Sequence, residues 1–106
     1  MIKTISIPEL HEKFKSLAKN ELILDVRTDE EYAEGHVPGA GNISHETVLS
    51  HLDELKKYTT VYVYCHSGGR VQNACFQLMN AGLKNLVAVI DGGMPDWEAH
   101  DFPVEK

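Results

Sequence analysis

Thr60-Val61-Tyr62-Val63-Tyr64-Cys65 runs straight into His66-Ser67-Gly68-Gly69-Arg70, and this stretch decides the fold. The first part is β-branched or aromatic up to its cysteine, the composition of a strand that packs on a pleated surface. Two glycines then open a tight loop. From Arg70 to Ala81 the chain has helical spacing through Ala74, Phe76, Leu78 and Met79, and Gly82 supplies a left-handed stop. Strand, glycine loop and helix in this order are the front of a β-α unit in a parallel sheet.

Working outward, the same alternation continues on both sides. Leu22-Ile23-Leu24-Asp25-Val26 is a short apolar run of the kind found in strands covered on both faces, and Leu86 to Ile90 is another. A brief strand is expected near Ala40 to Asn42. Pro8 suits the first turn of a helix whose apolar stripe is Leu10, Phe14, Leu17 and Ala18. Thr28 followed by Asp29-Glu30-Glu31 is a capping box whose helix should end at Gly35. Helical segments are also expected from Glu46 to Lys57, with Val48, Leu52 and Leu55 on one side, and from Met94 to His100 around Trp97. The sum is an α/β domain: a mostly parallel sheet with helices on both faces. In such sheets ligands bind beyond the carboxyl ends of the strands.

Composition bounds the function. With 106 residues the chain is expected to be one domain, 1–106, with no room for a second. At 42% hydrophobic and 25% charged it is ordinary globular material. No apolar run approaches the ~20 residues of a membrane helix, and the N-terminus has no secretory pattern, so a soluble cytoplasmic protein is expected. A formal charge of -6, a pI near 5.4 and lysines scattered along the sequence argue against capture of nucleic acid or anionic lipid. Only two cysteines and two arginines occur: Cys65, Cys75, Arg27 and Arg70.

Cys65 ends the best strand and opens the glycine loop, with a helix starting behind it. A loop of this length lets backbone amides converge into an anion-binding nest at a helix N-terminus. Amides, helix dipole and the Arg70 guanidinium would favour a thiolate there, and the expectation is an ionised nucleophile at neutral pH. Cys75, among Ala74, Leu78 and Met79, reads as packing. His66 would either orient a substrate or point to solvent. His45 and His51 lack ligand spacing, so no metal and no cofactor are expected. Trp97 reads as core or pocket wall. Arg27, just past a strand's carboxyl end, could attract an anionic donor or could pair with Glu31 or Asp25.

Several stretches together resemble the rhodanese homology domain. Asp25-Val26-Arg27, Glu31-Tyr32, Gly35-His36-Val37-Pro38-Gly39-Ala40 and Asn42-Ile43 are similar to its N-terminal signature. Tyr64 to Arg70 is similar to its active-site loop. Asp91-Gly92-Gly93, Trp97 and Phe102-Pro103-Val104 are similar to its C-terminal signature. The resemblance implies a compact module with five mostly parallel strands. It also implies a sulfurtransferase, in which Cys65 takes a sulfane sulfur from a donor such as thiosulfate and passes it as a persulfide to cyanide or a thiol. His66, Ser67, Gly68, Gly69 and Arg70 would form the substrate cradle, joined by Arg27. A chain this short lacks the second module of larger relatives, so the site should be open to solvent and suited to small anions or a docking protein thiol.

The chain departs from the family pattern at Val71, where serine is common, at Asp101, and after Asn42-Ile43, where a proline is missing. Two other readings compete. Cysteine phosphatases and arsenate reductases use a similar loop, but with five residues between cysteine and arginine against the four here, a nest sized for phosphate rather than sulfur. A non-catalytic scaffold that binds a protein partner is the other, and retention of Cys65, the glycines and Arg70 argues against it.

Overall fold

A computed structural model describes residues 2–66 and 69–106, with the side chain of Asp91 left out. Five strands, β1 (Lys3–Ser6), β2 (Glu21–Asp25), β3 (Gly41–Asn42), β4 (Thr60–Tyr64) and β5 (Leu86–Asp91), form one sheet in the order β1-β5-β4-β2-β3. Every pairing is parallel, and β2 lies beside β4 in the register Glu21 to Thr60 through Asp25 to Tyr64. The helices are α1 (Ile7–Lys15), α2 (Asp29–Glu34), α3 (Leu52–Leu55), α4 (Gly69–Asn80) and α5 (Met94–Ala99).

Successive side chains of a strand point to opposite faces, and here each face has its own core. On one side Val61, Val63 and Cys65 pack with Leu24, Val71, Ala74, Cys75 and Leu78. On the other Tyr62 and Tyr64 pack with Ile7, Leu10, Val87, Val89 and Trp97. Helices therefore cover both faces, which is why the strands read as unbroken apolar runs.

Local signals account for the element ends. Thr28 and Glu31 make the expected capping box, the Glu31 amide donating to the Thr28 hydroxyl at 3.3 Å. A second box, Ser6 with Glu9, starts α1, with Pro8 in its first turn. Gly82, at φ +100°, stops α4.

The structure adds one strand, corrects two expectations and decides between the two readings of Trp97. Lys3–Ser6 is a strand, too short and too near the terminus to show a clear alternation, and it pairs with β5 at the sheet edge. The segment 46–57 is not one helix: Val48–His51 is a 3₁₀ turn and only Leu52–Leu55 is α-helical. In α4 the buried stripe is Val71, Ala74, Cys75 and Leu78, whereas Phe76 is 65% exposed and Met79 is at the surface. Trp97 is core: fully buried, it donates from Nε1 to the Pro103 carbonyl and meets His11, Phe14 and Phe102 edge to face. No helix among the described residues is long and apolar enough to cross a membrane.

Candidate active site

The carboxyl ends of β2, β4 and β5 bring the chemistry together. Cys65 follows β4 directly, is fully buried, and leads through His66 to the first turn of α4. Ser67 and Gly68, expected in the cradle, lie outside the described residues.

The turn after β5 holds this loop from behind. The Met94 amide donates to the Cys65 carbonyl at 2.9 Å. Gly93 is buried against the same backbone: a Cβ there would lie 2.0 Å from the Cys65 carbonyl oxygen and 2.4 Å from that of His66. Gly92 turns the chain at φ +83°, where a Cβ would also strike Asp96 at 2.8 Å. The signature Asp91-Gly92-Gly93 thus has a physical role that its sequence did not reveal. It lets β5 approach β4 closely and ties the Cys65 carbonyl to its far side.

Both arginines are engaged. Arg27 is buried with a fully buried Asp25: Nη2 donates to Asp25 Oδ2 at 2.7 Å and to the Gly35 carbonyl at 2.7 Å, and Nε donates to Oδ1 at 3.0 Å. Burial works against the guanidinium charge, and the Asp25 bonds and charge outweigh it. Below them the buried Tyr64 hydroxyl accepts from the Val37 amide at 3.1 Å. Burial, reinforced by Asp25, pushes its pKa up and keeps it protonated. Asn42 completes the knot by donating to the carbonyls of Asp25 and Arg27.

Arg70, in the first turn of α4, forms an ion pair with Glu31 in the first turn of α2. The pair straps the helix behind the loop to the turn after β2. Burial acts to raise the Glu31 pKa, but the bonds from Arg70 and Thr28 prevail and hold it down at about 2. Neither this pair nor the wall residues Glu34 and Glu98 was singled out for the site in the sequence reading.

Arg27, Glu31, Glu34, Gly35, His66 and Glu98 line a pocket of about 310 Å³. His66 is exposed there, so the chain passes from the buried Cys65 into the pocket wall within one residue. Cys75 lies in the core beneath α4, and burial, with Cys65 nearby, pushes its thiol up to about 12.

Comparison with known proteins agrees with this architecture. The rhodanese-like domain family matches residues 8–100, and the chain belongs to that family. YtwF of Bacillus subtilis is 38% identical over 103 residues, with 96% of each chain covered. YrkF of the same organism is 38% identical over 96 residues, but the match spans only 51% of that protein and 87% of this one. The thiosulfate sulfurtransferase GlpE of Coxiella burnetii is 32% identical over 94% of this chain and 91% of its own. A solved structure from Staphylococcus saprophyticus superposes with a TM-score of 0.82 at 34% identity, covering 99% of this chain and all of that one. The chain is thus homologous to proteins named as sulfurtransferases.

Proposed function

We propose that the protein is a sulfurtransferase that carries a sulfane sulfur on Cys65. The supporting observation is the position of that cysteine, between the carboxyl end of β4 and the first turn of α4, with its carbonyl tied back by Met94. The first amides of α4 have no partner within the helix, and such groups at a helix N-terminus stabilise an anionic sulfur.

Thiosulfate is one donor of the right chemistry. The Cys65 thiolate attacks its outer sulfur, the S–S bond breaks with its electron pair, and sulfite leaves. The product, a Cys65 persulfide anion, keeps its charge in the same surroundings. Attack on the outer sulfur by cyanide or a thiolate releases thiocyanate or a new persulfide and restores the Cys65 thiolate. A thiolate nucleophile needs no general base, and none is assigned. Arg70 acts through its pairing with Glu31 to hold α4 and the loop in place. Arg27, bonded to Asp25, presents the nearest positive charge to a donor in the pocket.

The test is mass spectrometry of the full chain after exposure to thiosulfate or another sulfane donor. The Cys65 peptide should gain one sulfur, about 32 Da, reversed by reductant and absent in Cys65→Ser. An unchanged mass with every donor would leave a binding scaffold as the better reading.

A further inference from the structure

We infer that the mouth of this site selects its sulfur partner by charge: Glu34 and Glu98 disfavour dianionic donors and favour a persulfide or thiol flanked by positive charge. The inference rests on the sulfurtransferase reading and goes further, to the class of substrate.

The charges around the pocket do not cancel. Arg27 is balanced by Asp25 and Arg70 by Glu31. Glu34 and Glu98 are exposed on the pocket wall, and neither forms an ion pair among the described residues. Two positive charges against four negative ones leave two carboxylates uncompensated. Among the described residues the only other titratable side chain on the wall is His66.

The rest of the molecule points the same way. Lys3 opens β1, Lys13 and Lys15 close α1, Lys19 precedes β2, Lys56 and Lys57 precede β4, and Lys84 precedes β5. All seven lie at the amino-terminal end of the parallel sheet, where Lys3, Lys13 and Lys84 share one depression with Thr60 and Leu86. Seven of the eight lysines, scattered in the sequence, are thus gathered by the fold at the end opposite the site; the eighth, Lys106, follows Glu105, whose backbone pairs with His36 beside the pocket. Lys106 comes to that side together with the Glu105 carboxylate, so the two add no net charge to offset Glu34 and Glu98, and exposed charges act over ~10 Å at 0.1 M salt. A cleft of one sign concentrates the opposite charge and repels its own, and charges at a rim act mainly on the association rate.

The transfer balances without an added redox partner. The Cys65 thiolate attacks the outer sulfur of R–S–SH, the S–S bond of the donor breaks, R–S⁻ leaves with its electron pair, and Cys65–S–SH carries the proton across.

The experiment compares loading rates of Cys65 from four donors: thiosulfate, two cysteine-persulfide peptides of equal length flanked by lysines or by glutamates, and cysteamine persulfide. At low salt the lysine peptide should load about tenfold faster than the glutamate peptide, the ratio falling toward one at high salt while thiosulfate loading speeds up. Cysteamine persulfide matching the lysine peptide would assign a small cationic carrier, and lagging behind it would assign a basic polypeptide. Glu34→Gln/Glu98→Gln should narrow the ratio several-fold. Glu12→Gln/Glu54→Gln, an equal change in net charge away from the site, should leave it intact. Equal loading of the two peptides, or a ratio unmoved by the Glu34 and Glu98 changes, overturns the charge selection while leaving the sulfurtransferase reading in place. Failure of every donor to load Cys65 overturns both.

Discussion

Gly93 shows how much of a site can hang on a missing side chain. Its φ of -168° is extended backbone open to any residue, so the obstacle to substitution is space alone. With the Cys65 carbonyl 2.0 Å from where a Cβ would stand, Gly93→Ala must push the β4 loop outward. Overpacking of this kind costs about 1–3 kcal/mol. Chemical denaturation should register that loss, and Cys65 loading should fall by more than the unfolded fraction explains. Cys75 provides the contrast between two buried thiols. Held at about 12 by burial, it should stay unmodified when native protein is treated with iodoacetamide near neutral pH, and peptide mapping should find it alkylated only after denaturant is added. The sequence placed the two cysteines in different elements because one ends a β-branched run and the other sits amid helical apolar residues. It could not show that Arg27 turns inward to Asp25, since a side chain past a strand end can bond back to its own turn or face a ligand, and the spacing is the same.

At the scale of elements, α4 is where pattern and packing diverge. Ala74, Phe76, Leu78 and Met79 are apolar, but a helix covering a twisted sheet buries a stripe at intervals of three and four, and that stripe is Val71, Ala74, Cys75 and Leu78. Leu78→Ala should cost about 2–5 kcal/mol and Phe76→Ala only a fraction of that, measured by urea unfolding. The α2 capping box was legible because it is a local motif, four residues long. The second bond of Glu31, to Arg70, was not, because it joins residues far apart in the chain. That pairing has a pH signature. Glu31 is held at about 2 when folded against 4.5 unpaired, so its stabilisation is complete above 4.5 and drains away as pH falls toward 2. Glu31→Gln should be less stable than the parent at neutral pH, with the gap closing across that acid window in thermal melts.

For the molecule as a whole, the sequence disclosed the α/β class, four of the five strands and the end of the sheet where the site lies. These follow from apolar runs and glycine stops that local chemistry dictates. The edge strand β1 escaped because it spans only Lys3–Ser6 and buries one side chain, Ile5; its conformation is imposed by β5 rather than by its own composition. Ile5→Ala should therefore lower the melting temperature through lost burial, about 2–4 kcal/mol, and expose the β5 edge, seen as faster aggregation on heating. The separation of lysines from the acidic mouth could be found only after the strands were laid parallel.

The pairing of β1 with β5 also sets a timetable. Lys3 rests against Val87 and Ile5 against Val89, so the first strand of this sheet to be synthesised waits for its last. Until then α1 has Ile7 and Leu10 ready but no completed surface to cover. Closure of the sheet joins its first and last strands after the three between them have been made. Parallel pairings between distant segments fold slowly for this reason, because the entropy of closing the loop is lost before the contacts reward it. During synthesis the sheet must thus remain incomplete on its β1 side until residues 86–91 leave the ribosome, and only then does β4, the strand before Cys65, become fully interior.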